Sequence, residues 1–209
     1  MTLKRYLTLI TSLVVASAAT ASEPQPFQDM DVFELEWASS PQLSPDGKQV
    51  VYRRNYMDIM KDARQGRLWL VNTDGSGHMK LTSRDVNEGS AVWSPDGTRL
   101  AFSSGTDNGS EIFVYWVNSG KLARLSQLQR SPSGLSWSPD GKHIAFSMLV
   151  PEKPPVMVKM PAKPKGAKWA DKARVTTRLK YEQDGRGYLE TGFSHLFVIP
   201  SEGGTPRQI

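Results

Sequence analysis

The sequence predicts an all-β chain built from one small antiparallel sheet written three times. Three observations carry that prediction. The stretch "WSPDG" occupies positions 93–97 and returns unchanged at 137–141, with a near-copy, "LSPDG", at 43–47. Each copy is followed by a run dense in β-branched and aromatic residues: "KQVVYRR" from Lys48, "TRLAFSS" from Thr98 and "KHIAFSM" from Lys142. The aspartates of the three turns are 50 and 44 positions apart, a period that belongs to repeat architectures.

The turn comes first in each unit. Ser-Pro-Asp-Gly suits a tight reversal, because Pro presets φ, Asp tolerates the bend and Gly takes φ > 0 without a steric cost. The middle copy shows the whole unit: "SAVW", the turn, "TRLAFSS", a loop at "TDNGS", then "EIFVYWV", "NSG" and "KLARLS". This is a four-stranded meander. The first copy follows it through "PQL", "KQVVYRR", "RLWLVN" and "HMKLT"; the third begins with "GLSW" and "KHIAFSM" and resumes at "HLFVIP" and "TPRQI".

Both faces of each sheet are apolar. Leu100 and Phe102 project to one side and Ala101 to the other, and Ile144, Ala145 and Phe146 repeat the order, as do Val50, Val51 and Tyr52. The third strands, "LWLV", "IFVYWV" and "LFVI", are continuous apolar runs, as in sheets covered on both sides. A β-sandwich would expose one face of each sheet and alternate more cleanly. The architecture is therefore a partial β-propeller of three blades. Trp93 and Trp137, at equivalent positions, are expected to pack between them.

The expected organisation is a signal peptide over 1–21, a lead-in over 22–39, and blades over 40–83, 84–127 and 128–209. Lys4 and Arg5 precede the apolar run "YLTLITSLVVASAA", and Ala19-Thr20-Ala21 matches a cleavage site, so export to the periplasm or medium follows, with no membrane attachment after cleavage. There is no cysteine, so stability has to come from burial. The formal charge of +5 falls to +3 when the two basic residues leave. Propellers run from about four to eight blades, so a chain with three is expected to be a fragment.

The third blade is interrupted over 151–193 by a Pro- and Lys-rich insertion holding ten Lys or Arg against five Asp or Glu. Its start favours extended, polyproline-like backbone. It lacks the basic-aromatic interleaving of a nucleic-acid surface, and no nucleic-acid partner is expected. The insertion either merely decorates the rim or packs toward a following domain, with Arg186, Tyr181 and Tyr188 of "YEQDGRGY" near a substrate chamber. A guanidinium there would pair with a peptide carboxylate or an acidic side chain.

Catalytic and metal chemistry finds no support. His78, His143 and His195 are far apart, none at helical spacing from another, and no cofactor or metal site is expected. "GSGHMK", from Gly75, leads from strand to strand and is a hairpin turn, not a phosphate loop. Asp58, Asp62 and Glu88 read as solvated charges on loops.

Tandem SPDG blades behind a signal peptide, the lead-in "FELEWASSPQLSPDGKQVVYRRNYMDIM", and "YEQDGRGYLETGFSHLFVIPSEGGTPRQI" resemble the propeller of the prolyl oligopeptidase family, in its secreted bacterial acylaminoacyl-peptidase and dipeptidyl-peptidase-like branch. The resemblance runs from about Phe33 to Ile209. It implies a propeller that restricts entry of peptides to an α/β-hydrolase domain with a Ser-Asp-His triad. The sequence departs in one decisive respect, since no G-x-S-x-G nucleophile elbow occurs in it, so no catalytic residue is assigned and the chain alone is expected to be inactive. The rival is a TolB-like periplasmic propeller that docks partner proteins. A third reading is an inactive relic whose open edge aggregates.

Overall fold

The computed structural model describes residues 26–153, 161–170 and 174–209. The expected signal peptide lies outside them. A short 3-10 helix, Asp29–Glu34, leads into β1 (Glu36–Leu43), so the first strand reaches back into the lead-in. With β2 (Gln49–Asp58), β3 (Ala63–Asn72) and β4 (Met79–Lys80) it forms the first four-stranded antiparallel sheet. The second sheet holds β5 (Glu88–Trp93), β6 (Arg99–Thr106), β7 (Gly109–Trp116) and β8 (Lys121–Arg124). The third sheet begins with β9 (Ser133–Trp137) and β10 (His143–Pro151). Two short strands, β11 (Glu182–Gln183) and β12 (Gly187–Tyr188), lie in the insertion, and β13 (Gly192–Pro200) and β14 (Arg207–Gln208) complete the third sheet.

Each SPDG turn is locked by the same three side-chain hydrogen bonds. The Ser44 hydroxyl donates to Asp46 Oδ1 at 2.6 Å and accepts from the Gln49 amide at 2.9 Å, while Asp46 Oδ1 also accepts from the Lys48 amide at 3.1 Å. Ser94 with Asp96, and Ser138 with Asp140, repeat all three. Gly47, Gly97 and Gly141 close the turns at φ of 72°, 69° and 67°.

A second device repeats four residues before each turn serine. Ser40, Ser90 and Gly134 sit in the left-handed region at φ of 51°, 54° and 60°. At each, the first strand slips register against the second, a bulge that sharpens the local twist.

The sheets stack face to face, and strand alternation divides the core into two layers. Val51, Leu68 and Leu70 of the first sheet meet Leu100, Phe102, Phe113 and Tyr115 of the second. From the opposite face of the second sheet, Ala101, Ile112 and Val114 meet Leu135, Ile144, Phe146, Phe197 and Ile199 of the third. The middle sheet is therefore covered on both sides, as its continuous apolar runs require. The expected packing tryptophans cross the seams: Trp93 Nε1 donates to the Gln42 carbonyl at 3.1 Å and Trp137 Nε1 to the Val92 carbonyl at 3.2 Å.

Glu88 corrects the reading of solvated loop acids. It opens β5 and is 2% exposed, accepting from the Thr82 hydroxyl at 2.6 Å and from the Leu68 amide at 3.2 Å. Because β4 is only two residues long, the Leu68 amide finds its acceptor in this carboxylate. Asp58 and Asp62 do lie at the β2–β3 reversal, where Asp58 accepts from the Met60 amide at 3.0 Å and pairs with Lys61 at 3.3 Å. Among the described residues no helix is long and apolar enough to cross a membrane.

Candidate functional site

The insertion leaves the third sheet between its second and third strands. Those strands pair without a slip from His143 against Pro200 to Pro151 against Gly192, so the segment departs from and returns to one fixed point. Glycine suits that return at position 192, since a Cβ there would clash with the Val150 carbonyl and the Pro151 backbone. The base is held by charge. Arg130 grips both carboxylate oxygens of Glu190, which holds that carboxyl below the usual glutamate range and raises the guanidinium of Arg130. Arg178 donates to the Gly192 carbonyl at 3.1 Å and lies over the Phe193 ring at 4.6 Å.

Beyond the base, β11 and β12 make a miniature hairpin around Asp184, Gly185 and Arg186. The Arg186 amide donates to the Gln183 carbonyl at 3.0 Å, and the Leu189 amide to the Tyr181 carbonyl at 2.8 Å. Tyr181 and Tyr188 stack across the hairpin at 6.0 Å between ring centres, and Arg174 covers Tyr188 at 4.0 Å. The structure thus brings the two predicted tyrosines together and puts Arg186 on the turn beside them, exposed, with no ion pair among the described residues. The result is an aromatic and cationic tip on a base tied to the third sheet by hydrogen bonds and an ion pair. It can stack on a flat or apolar group and offer a guanidinium to a carboxylate.

The β2–β3 reversal, the β6–β7 hairpin and the insertion all connect second to third strands, so they share one end of the stacked sheets. At that end, over the seam between the first two sheets, lies a cleft of about 380 Å³ bordered by Lys61, Arg84, Asn87 and Thr106. Sequence reasoning missed the arginines around this seam. Arg53 donates to the Glu88 carbonyl and to Asn87 Oδ1, each at 2.8 Å, and its guanidinium is held below its ordinary value by burial and by Arg64 and Arg67. Arg84 donates to the Gly105 carbonyl at 2.8 Å and lies over the Phe113 ring at 4.2 Å. The available signal was their position on strands and loops beside a seam, which motif searching does not register.

The histidines stay apart. His78 Nε2 shares a 2.7 Å hydrogen bond with the Tyr52 hydroxyl, His195 Nδ1 is 3.1 Å from Gln208 Nε2, and the His143 amide caps its turn. No group of three metal-ligating side chains occurs among the described residues.

Three stacked four-stranded meanders, linked tryptophan to carbonyl across each seam, define a β-propeller unit. The chain belongs to the TolB beta propeller domain family, whose model matches residues 31–166. Among curated relatives, dipeptidyl-peptidase 5 of Porphyromonas gingivalis is 40% identical over 70 residues, which are 34% of this chain and 10% of that protein. The uncharacterized peptidase YuxL of Bacillus subtilis is 22% identical over 189 residues, covering 86% of this chain and 27% of the relative. The acylaminoacyl peptidase of Pyrococcus horikoshii superposes with a TM-score of 0.61 at 13% identity, over 85% of this chain and 25% of its own, a likeness of fold. The chain therefore spans about a quarter or less of the length of each.

Proposed function

We propose that this chain is the N-terminal propeller portion of an exported serine peptidase, and that it admits and positions peptide substrates for an α/β-hydrolase domain. The observation that carries the reading is the match to a peptidase over 86% of this chain but 27% of the relative. The shared part is the propeller. Residues 1–21 act as the export signal, 22–39 as the lead-in, and 40–83, 84–127 and 128–209 as the blades, with 151–193 reaching from the third.

In this reading the insertion does the recognition. Stacked Tyr181 and Tyr188 form a platform for a peptide's apolar face, and Arg186 pairs with a carboxylate at its terminus or on an acidic side chain. Neither step breaks a bond, so the chain alone leaves peptides intact.

The test joins the propeller to the hydrolase domain encoded by the extended reading frame. With that enzyme, Arg186→Ala should lower kcat/KM about tenfold for peptides bearing a carboxylate near the cleaved bond and leave amidated ones unchanged, as one desolvated charge-assisted pair contributes roughly 1.5 kcal/mol. Equal constants for both peptides would remove Arg186 from recognition. A frame that ends after ring closure, with no G-x-S-x-G sequence, would favour the TolB-like docking module instead.

A further inference from the structure

The cleft over the first seam is walled by three segments: the β2–β3 reversal with Lys61, the linker from β4 to β5 with Arg84, Asp85 and Asn87, and the β6–β7 hairpin with Asp107. All three belong to the first and second sheets, which meet through their own core. The linker is tied to both. The Gly66 amide of the first sheet donates to Asn87 Oδ1 and the Gly105 amide of the second to the Asn87 carbonyl, each at 2.9 Å. The walls are therefore fixed before any ligand arrives, which lowers the ordering cost of binding.

Arg84 lines this cleft half-buried. Its guanidinium lies over the Phe113 ring at 4.2 Å and donates to Ser104 Oγ at 3.0 Å and to the Gly105 carbonyl at 2.8 Å. Both acceptors are neutral, and no acid pairs with Arg84 among the described residues. A guanidinium carries five N–H donors, so several remain for an incoming anion, which a partly desolvated and unmatched charge favours. Asn87 adds a further donor. Its Oδ1 accepts from both Arg53 and the Gly66 amide, which orients the side-chain amide and leaves its NH2 without an acceptor among the described residues.

The opposite charge is present as well. Asp107, exposed on the β6–β7 hairpin, has no ion pair among the described residues. The other two charges in the walls are already matched, Lys61 with Asp58 at 3.3 Å and Asp85 with Arg67 at 2.6 Å. One cation and one anion are left over. Two basic and two acidic residues in the walls cancel, so the cleft favours a ligand that carries both a carboxylate and an ammonium group over a polyanion such as phosphate.

The geometry points to a binding site for a short zwitterionic peptide, its carboxylate on Arg84 and Asn87 and its ammonium group on Asp107. The volume of about 380 Å³ falls within the roughly 300–1,000 Å³ of small-ligand sites. The site is separate from the tip formed by Tyr181, Tyr188 and Arg186 and involves no hydrolase domain, so it stands independently of the peptidase reading.

Amide NMR spectra of the isotope-labelled chain, titrated with triglycine, read location and affinity together. The shifts should centre on residues 84–87 and 105–107. Triglycine amide, which lacks the carboxylate, should bind about tenfold more weakly, as expected for a charge-assisted contact. N-acetyltriglycine, which lacks the ammonium group, should bind about threefold more weakly, because Asp107 is exposed. Arg84→Gln should abolish the preference for the free acid over the amide, and Asp107→Asn the preference for the free amine over the acetylated peptide. If Arg84→Gln loses the dispersed spectrum of a folded chain, Asp107→Asn, on an exposed hairpin, decides alone. No shift with triglycine, shifts at Tyr181 and Tyr188 instead, inorganic phosphate binding as tightly, or variants that keep both preferences would each overturn the proposal.

Discussion

Trp137 donates its indole N–H to the carbonyl of Val92 at 3.2 Å, across the seam between the third and second sheets. The bond ties the first strand of one sheet to the first strand of the next, and Arg99 lies over the same indole at 4.8 Å. Replacing Trp137 with Phe keeps a ring but deletes the donor, which should destabilise by about 1 kcal/mol; Ala should cost roughly 3 to 5 kcal/mol. Trp93→Phe, which deletes the bond to Gln42, should match the first value. Urea unfolding of the three variants measures all of this, and a Phe variant as stable as the parent would show the bond to be idle.

The SPDG turns predict an acid limit. Asp46, Asp96 and Asp140 are each held below the ordinary aspartate range, first by the neighbouring serine hydroxyl and then by burial-opposed amide contacts. A depressed carboxylate stabilises the fold above its unfolded pKa, near 3.9 for Asp, and that contribution vanishes as pH falls through the lower folded value. Urea midpoints should therefore hold steady from pH 7 to about pH 5 and drop below about pH 4. Replacing all three aspartates with Asn should flatten the drop. A midpoint that falls equally in parent and variant would place the acid sensitivity elsewhere.

Ser94 tests the turn at its buried copy. The residue is fully buried, and its hydroxyl both donates to Asp96 and accepts from the Arg99 amide at 2.9 Å. Ser94→Ala leaves that amide short of an acceptor and should cost about 1 to 3 kcal/mol. Ser138→Ala, where the same bonds face water, should cost less. Thermal melts of the pair rank them, and the reverse order would contradict the burial argument.

The elements that repeat were legible before any coordinates, because a repeat supplies its own alignment. "SPDG" located three turns, and the large-small-large order after each assigned Leu100 and Phe102 to one core layer and Ala101 to the other. Trp93 and Trp137 followed from equivalence alone. What stayed hidden departs from the repeat. Glu88 is an acid facing inward because β4 is too short to satisfy Leu68, and chain length of a neighbouring strand is not visible in a charge pattern. At the candidate site, the pairing of Tyr181 with Tyr188 comes from a two-residue register around a glycine turn, whereas the clamp of Arg130 on Glu190 joins residues sixty positions apart.

Glu88 itself yields a sharp expectation. Glu88→Ala strands the Leu68 amide and the Thr82 hydroxyl in the seam, and each unpaired buried group costs about 1 to 3 kcal/mol. Glu88→Gln keeps an acceptor oxygen and should retain most of the stability. Calorimetry of both variants decides, and equal losses would mean that the carboxylate's charge, not its accepting oxygens, holds the place.

Ser90 stands where the repeat uses glycine once and serine twice. Its φ of 54° lies in the left-handed region, which costs a non-glycine residue roughly 1 kcal/mol, and Gly134 fills the equivalent place in the third sheet at φ 60°. The side chain is exposed and makes no hydrogen bond among the described residues, so Ser90→Gly removes strain without losing a described contact. Glycine also widens the unfolded ensemble, which offsets part of the gain. The net effect should be a stabilisation of at most about 1 kcal/mol. Gly134→Ala should move the other way by a similar amount, since it imposes on the third sheet the strain that Ser90 imposes on the second. Denaturant midpoints for the two variants, measured together, test the bulge as a strained element of the fold: shifts of opposite sign support it, and a stabilised Gly134→Ala would refute it.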